Sequence, residues 1–287
     1  MINKLTLIGV GLIGGSFALA LREAGLVREI VGVGRSAENL SAALGMYVID
    51  VSVTDPAQAV QGADLVLLAV PVGQMGESMA AIAPHLGAHT VVTDVGSTKQ
   101  NVVTLARQYL GAHLSRFVPG HPIAGAEKSG VKAARGELFR ERNVVLTPLA
   151  ETDAAAVELV TRLWQGCGAK VSQMDAADHD AVFAAVSHLP HVLAFALVDY
   201  IASQANAEQL FGFAASGFRD FTRIAGSSPE MWRDICLANR DTMLSQLVGY
   251  ESELAKIKTL IERGDGAALA ELFGRARDAR QQYLKNP

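Results

Sequence analysis

The feature that most constrains this chain is the run Gly9-Val10-Gly11-Leu12-Ile13-Gly14, set directly after the apolar stretch Leu5–Ile8. A helical pattern, Ser16–Glu23, follows it, and Glu29–Val33 then reads as a second strand. Strand, glycine turn, helix and strand in this order make a dinucleotide-binding βαβ unit. Gly9 permits the tight turn, Gly11 lets the backbone approach a pyrophosphate, and Gly14 lets the helix pack on the strand. The helix N-terminus then presents free N–H groups to the phosphates. The competing reading is an ordinary glycine-rich turn of an α/β protein.

The end of the second strand bears on which dinucleotide is held. An acidic residue there binds the adenosine ribose 2′-OH and favours NAD. This chain reads Val33-Gly34-Arg35-Ser36 instead. Arg35 can pair with a 2′-phosphate and Ser36 can donate to it, so NADP is expected ahead of NAD. A solvated Arg35 stacked on adenine would allow either. In open α/β sheets ligands lie beyond the carboxyl ends of the strands. Leu12, Ile13, Val70 and Pro71 therefore join Gly9, Gly11, Gly14, Arg35 and Ser36 as expected cofactor neighbours.

Short β-rich runs at Lys4–Ile8, Glu29–Val33, Leu65–Val70, Thr90–Asp94, Phe117–Pro119, Val144–Thr147 and Ala169–Gln173 alternate with helical stretches. That alternation predicts a mostly parallel sheet covered on both faces. After Asp175 no convincing strand remains. Ala181–Ala202 is a long apolar helical stretch that must be buried by its own domain or by a partner subunit. Met231–Leu260 has helical spacing, and Ala267–Leu284 closes the chain. The expected fold is an α/β Rossmann-type dinucleotide-binding domain, residues 1–175, followed by an all-α domain, residues 176–287.

Composition narrows the class. Half of the 287 residues are hydrophobic and 19% are charged, which suits a packed core. A net charge of −4, without a basic run, gives no electrostatic case for nucleic acid. Lys4 interrupts the apolar start, so no secretory signal is read, and no uninterrupted apolar run reaches the roughly 20 residues of a membrane span. A cytoplasmic protein without a membrane partner is expected, with Cys167 and Cys236 as free thiols.

Three clusters can carry chemistry. The strand ending at Val118-Pro119 leads into Gly120-His121-Pro122, where Pro122 restrains the histidine backbone. His121 there suits removal of a hydroxyl proton during hydride transfer, or else bonds a loop carbonyl. Ser97 and Lys99, beyond Asp94, could reach the nicotinamide or substrate; Ser97 or Thr98 could equally cap a helix. Ser187-His188-Leu189-Pro190-His191 puts two histidines near one helix face with a proline kink. Pocket lining is favoured there over metal binding, since no further ligands complete a metal site. Arg219 and Arg223 stand beside Phe218, Phe221 and Trp232, as a carboxylate clamp would, or as surface salt bridges.

Taken together, GVGLIGGS at 9–16, DVGSTK at 94–99, GHPIAGAEKSG at 120–130, SHLPH at 187–191 and FRDFTRIAGSSPEMWRDI at 218–235 resemble the prephenate/arogenate dehydrogenase family of tyrosine biosynthesis. The resemblance covers nearly the whole chain. It implies a helical C-terminal domain that forms a homodimer. It also implies oxidative decarboxylation of a small-molecule substrate, prephenate and/or arogenate, to 4-hydroxyphenylpyruvate and/or tyrosine. It places the catalytic histidine on His121, an assisting serine on Ser97 and the substrate-carboxylate arginine on Arg223. His191 matches a second pocket histidine, with His188 beside it. Glu127, Arg219 and Asp220 match a charged group near the pocket entrance. Neither the fused mutase nor the regulatory domain of some members is expected in the chain that runs to Pro287.

Two other functions fit parts of the pattern. A β-hydroxyacid-type dehydrogenase uses a lysine on the long helix, but Ala181–Ala202 contains none. An NADP-binding redox sensor without catalysis would need neither His121 nor a carboxylate clamp.

Overall fold

The computed structural model describes residues 1–125 and 128–284. Its elements in chain order are β1 (Ile2–Ile8), α1 (Leu12–Glu23), β2 (Val27–Val33), α2 (Ala37–Gly45), β3 (Val51–Val53), α3 (Pro56–Ala59), β4 (Leu65–Leu68), α4 (Met75–Ile82), β5 (Val91–Asp94) and α5 (Gln100–Tyr109). There follow β6 (Phe117–Val118), β7 (Gly120–Pro122), β8 (Asn143–Leu146), α6 (Ala154–Gly166), β9 (Lys170–Gln173), α7 (Ala176–Phe183), α8 (Leu189–Ala202), α9 (Ala207–Gly212), α10 (Ser216–Thr222), α11 (Pro229–Ala238), α12 (Arg240–Glu262) and α13 (Gly266–Tyr283).

The period-2 geometry of a strand sends alternate side chains to opposite faces. On β4, Leu65 and Leu67 enter the core on one face of the sheet, while Val66 and Leu68 enter the core on the other. Both faces must therefore be covered, and all six strands are parallel in the order β3-β2-β1-β4-β5-β6. The order reverses between β1 and β4, which opens the crevice where ligands of such sheets bind.

The later strands depart from the single-sheet expectation. Pro119 ends β6, and the chain restarts as β7, which pairs antiparallel with β8 while β8 runs parallel to β9. His121 therefore lies in the middle of a short strand of a second, three-stranded sheet rather than in a loop beyond a strand end.

The apolar stretch after 175 is helical from Ala176 to Ala202 but carries a π-turn at Ala184–His188, which ends two residues before Pro190. Proline has no N–H to return to the preceding turn, and the widened turn absorbs the mismatch. By length and composition this helix could cross a membrane, yet His179, Asp180 and His188 are buried on it within the protein fold. Much of α8 is not buried by the chain itself, and Ala194 is its one fully buried residue. The stretch expected as one helix over 231–260 is divided at Asn239 into α11 and α12.

The described chain divides into two compact units, Met1–Arg240 and the part from Asp241 onward. The second consists of most of α12 and α13, joined through Gly264, whose φ of +65° gives the left-handed helix stop. Both cysteines are free thiols, and burial pushes Cys167 up to about 12.

Candidate active site

The glycine loop has the shape of a phosphate cradle. Gly9 has a φ of +99°, and a Cβ there would stand 2.4 Å from the carbonyl oxygen of Ala69. A Cβ on Gly14 would stand 2.6 Å from the oxygen of Gly9. These two glycines let β1, β4 and α1 meet. Nothing lies within 4 Å of a Cβ position at Gly11, which caps α1 without a side chain and leaves the first-turn N–H groups open. That open face fits a pyrophosphate. Leu12 and Ile13 form the first turn, and Val70 and Pro71 flank it from the end of β4.

At the end of β2, Arg35 is exposed. Ser36 accepts from the Asn39 N–H at 3.2 Å and so caps α2. Its hydroxyl hydrogen remains available to donate. A Cβ on Gly34 would stand nearest the Leu40 side chain, at 3.3 Å.

The second constellation surrounds His121. Its Nδ1 lies 2.9 Å from Nε2 of His179, whose Nδ1 lies 2.8 Å from Oδ1 of Asp180. Asp180 also accepts the backbone N–H groups of Lys99, at 2.7 Å, and Gln100, at 2.9 Å. These are the first amides of α5, which has no side-chain cap of its own. A carboxylate only accepts, so His179 carries its proton on Nδ1 and offers the Nε2 lone pair to His121. His121 must then donate through Nδ1, which leaves its Nε2 as a free base. Phe183 packs edge-on to His121, with ring centres 4.9 Å apart. Burial, helped by the charges of His179, Lys99 and His188, holds His121 well below the usual histidine pKa. It is neutral near pH 7, as a general base must be.

Lys99 does not reach toward a substrate. It is fully buried, its ammonium pairs with Asp94, and it donates to the carbonyl of Gly120 at 2.7 Å. Asp94 also accepts from Gly96 N at 2.7 Å and Gly120 N at 3.1 Å. The ion pair thus ties the end of β5 to both the N–H and the carbonyl of Gly120, the residue before His121. Ser97 is half-buried and caps no helix; the cap position of α5 falls on Lys99.

His188 and His191 have separate Nδ1 partners. The His191 ring stacks on Trp232 at 3.8 Å and 21°, and its Nδ1 donates to Ser187 O at 2.9 Å. His188 is buried, with its Nδ1 3.4 Å from the Asn239 amide nitrogen. Burial pushes its pKa down to about 4, the Asp180 charge opposing. Among the described residues no cluster of metal-ligating side chains is present. Arg223, at the end of α10, is close enough to His191 to disfavour its protonation. Arg219 and Asp220 are exposed on α10. Glu127 lies outside the described residues.

Sequence reading missed His179, Asp180, Asp94 and Asn239. The signal was slight: an adjacent His-Asp pair at the start of an apolar helix, 58 residues from His121 in the chain. Asn239, read as helix interior, instead breaks the helix and donates to the Asp180 carbonyl at 2.9 Å.

Residues 17–173 match the family described as "Prephenate dehydrogenase, nucleotide-binding domain", and residues 175–275 match "Prephenate dehydrogenase, dimerization domain". The chain is 42% identical to the prephenate dehydrogenase of Bacillus subtilis, over 98% of this chain and 76% of that protein. It is 37% identical to the cyclohexadienyl dehydrogenase of Zymomonas mobilis, over 97% of this chain and 95% of that one. The structure of prephenate dehydrogenase from Aquifex aeolicus, solved with hydroxyphenyl propionate and NAD+, superposes with a TM-score of 0.91 at 39% identity, covering 98% of each chain.

Proposed function

We propose that this chain, which belongs to the prephenate dehydrogenase family, carries out the oxidative decarboxylation of prephenate and/or arogenate, with His121 as the base. The observation that carries this reading is the chain Asp180–His179–His121, which presents a neutral Nε2 within the same compact unit as the phosphate cradle.

A bound nicotinamide supplies an acceptor for the hydride leaving C4 of the substrate ring. His121 takes the proton of the C4 hydroxyl at Nε2, and His179 Nε2 accepts from the imidazolium that results. The C4 ketone then drains the electron pair of the breaking bond to the ring carboxylate. Carbon dioxide leaves, the ring becomes aromatic, and the phenolate oxygen takes the proton back from His121. Aromatisation drives the step, so the chain's task is to position and to hold a proton. Ser97 is assigned to assist at the hydroxyl and Arg223 to hold the ring carboxylate. His191, flat on Trp232, is assigned to the ring's pocket with His188, and Glu127 and Arg219 to its entrance.

The cofactor is read as NADP, held at Gly9, Gly11, Leu12, Ile13, Gly14, Val70 and Pro71 with Arg35 and Ser36 at the 2′ position. Residues 1–175 are assigned to cofactor binding. The helices of 176–287 are assigned to substrate binding and to a homodimer, whose partner would cover the apolar face of α8. The enzyme is placed in the cytoplasm. The test is steady-state kinetics with prephenate and arogenate, each with NAD and NADP. Release of carbon dioxide and 4-hydroxyphenylpyruvate or tyrosine in step with cofactor reduction supports the reading. No turnover of either substrate with either cofactor refutes it.

A further inference from the structure

A cation from a distant part of the chain reaches the first turn of α2, the helix that Ser36 caps. The short turn Val131–Ala133, in the connection between β7 and β8, packs on both α1 and α2. Asn39, in the first turn of α2, holds it there. Its amide nitrogen donates to the carbonyl of Val10 in the glycine loop at 2.6 Å, and its amide oxygen accepts the N–H of Val131 at 3.1 Å. Gly130, with a φ of +83°, brings the chain past Asn39. Gly15 allows the approach from the other side, since a Cβ there would meet Ala134 at 2.9 Å. The next residue, Lys132, reaches back over α2 to within 3.6 Å of the Glu38 carboxylate. Glu38 is three residues beyond Arg35, and it is the acidic residue in the first turn of α2.

We propose that Lys132 is a specificity-determining residue, a second cation for the 2′-phosphate of an adenine dinucleotide, carried on a turn that Asn39 holds at Val131. This rests on the NADP reading above. A carboxylate at Glu38 opposes a phosphate dianion near it, and Lys132 offsets that charge and turns it toward attraction. Exposed on a long stem, Lys132 can leave Glu38 for the phosphate at little cost. It acts on the 2′ group and not on the pyrophosphate, so it separates phosphorylated from unphosphorylated nucleotides.

The test is direct binding by calorimetry to the full chain, with adenosine 2′,5′-bisphosphate and AMP as probes. Wild type is expected to hold the bisphosphate at least about tenfold more tightly than AMP, as one charge-assisted contact provides. Lys132→Ala should lower that preference about three- to tenfold with AMP affinity unchanged, and Glu38→Gln should raise it. Arg35→Ala reports separately on the cofactor reading. If Arg35→Ala lowers the preference and Lys132→Ala does not, the role of Lys132 is overturned and the NADP reading stands. Equal weakening of both probes by Lys132→Ala makes the turn a structural wall and likewise overturns the role. A wild type that binds AMP as well as the bisphosphate overturns the NADP reading and Lys132 with it.

Discussion

Replacing His179 by Phe tests the proton relay at its middle. Phenylalanine keeps an aromatic ring against Phe183, which now packs on His179 with ring centres 4.5 Å apart. It removes the acceptor 2.9 Å from His121 Nδ1. Asp180 keeps both backbone donors of α5, so the local fold is retained at a cost of about 1–3 kcal/mol. During the reaction His121 becomes an imidazolium, and a hydrogen bond from a charged donor contributes about 1.5–3 kcal/mol. Losing it should lower kcat about 10- to 150-fold. The His121 tautomer is no longer fixed, which lowers kcat further. Cofactor affinity should be unchanged, and His179→Gln, which retains an acceptor oxygen, should recover part of the loss. Reduced-nicotinamide absorbance under saturating substrate gives kcat, and fluorescence titration gives cofactor affinity. A kcat within about twofold of wild type, or His179→Gln no better than His179→Phe, refutes the relay.

Four further outcomes follow from the same geometry. With His121 as the proposed base it must work unprotonated, and its pKa is lowered, so wild-type kcat/KM should persist below pH 6.5 and fall only as pH drops through that lowered value. His188, at about 4 in the fold against 6.5 unfolded, binds its proton more readily when unfolded; its contribution to stability is intact above pH 6.5 and is lost by up to about 3 kcal/mol as pH falls toward 4. Thermal melts from pH 7 to 4 should show that slope in wild type and a shallower one in His188→Asn. Gly34→Asp, whose Cβ requires the Leu40 side chain to give by a few tenths of an ångström, should favour NAD over NADP by binding the 2′-OH and repelling a 2′-phosphate; an unchanged kcat/KM ratio contradicts it. Lys99→Met leaves the buried Asp94 carboxylate unpaired and should cost about 3–5 kcal/mol in chemical denaturation, whereas a loss below about 1 kcal/mol would show the pair to be unimportant.

Local chemistry made the dinucleotide unit legible. Gly9, Gly11 and Gly14 have backbone requirements that few other contexts impose, and the apolar runs of β1, β2, β4 and β5 lie in a sheet buried on both faces. The second sheet is hidden because the runs Val144–Thr147 and Ala169–Gln173 look like further strands of the first sheet in isolation. Only Pro119 hints that β7 turns away. His121 stood out through its flanking glycine and proline. Its partners did not, since His179 and Asp180 act across 58 residues of chain and carry no spacing signal. Lys99 was misjudged for a related reason. A lysine near a strand end is normally drawn toward solvent, and burial became possible only because Asp94 and the Gly120 carbonyl face it.

The central claim is that Nε2 of His121 moves the proton of an oxidative decarboxylation. His121→Asn, assayed with prephenate and arogenate beside a calorimetric measurement of cofactor affinity, tests it most directly. Loss of a general base lowers rates by typically 10²–10⁴, so kcat should fall by about that factor while cofactor affinity stays within about twofold of wild type. Near-normal turnover of either substrate by the His121→Asn variant would contradict the account.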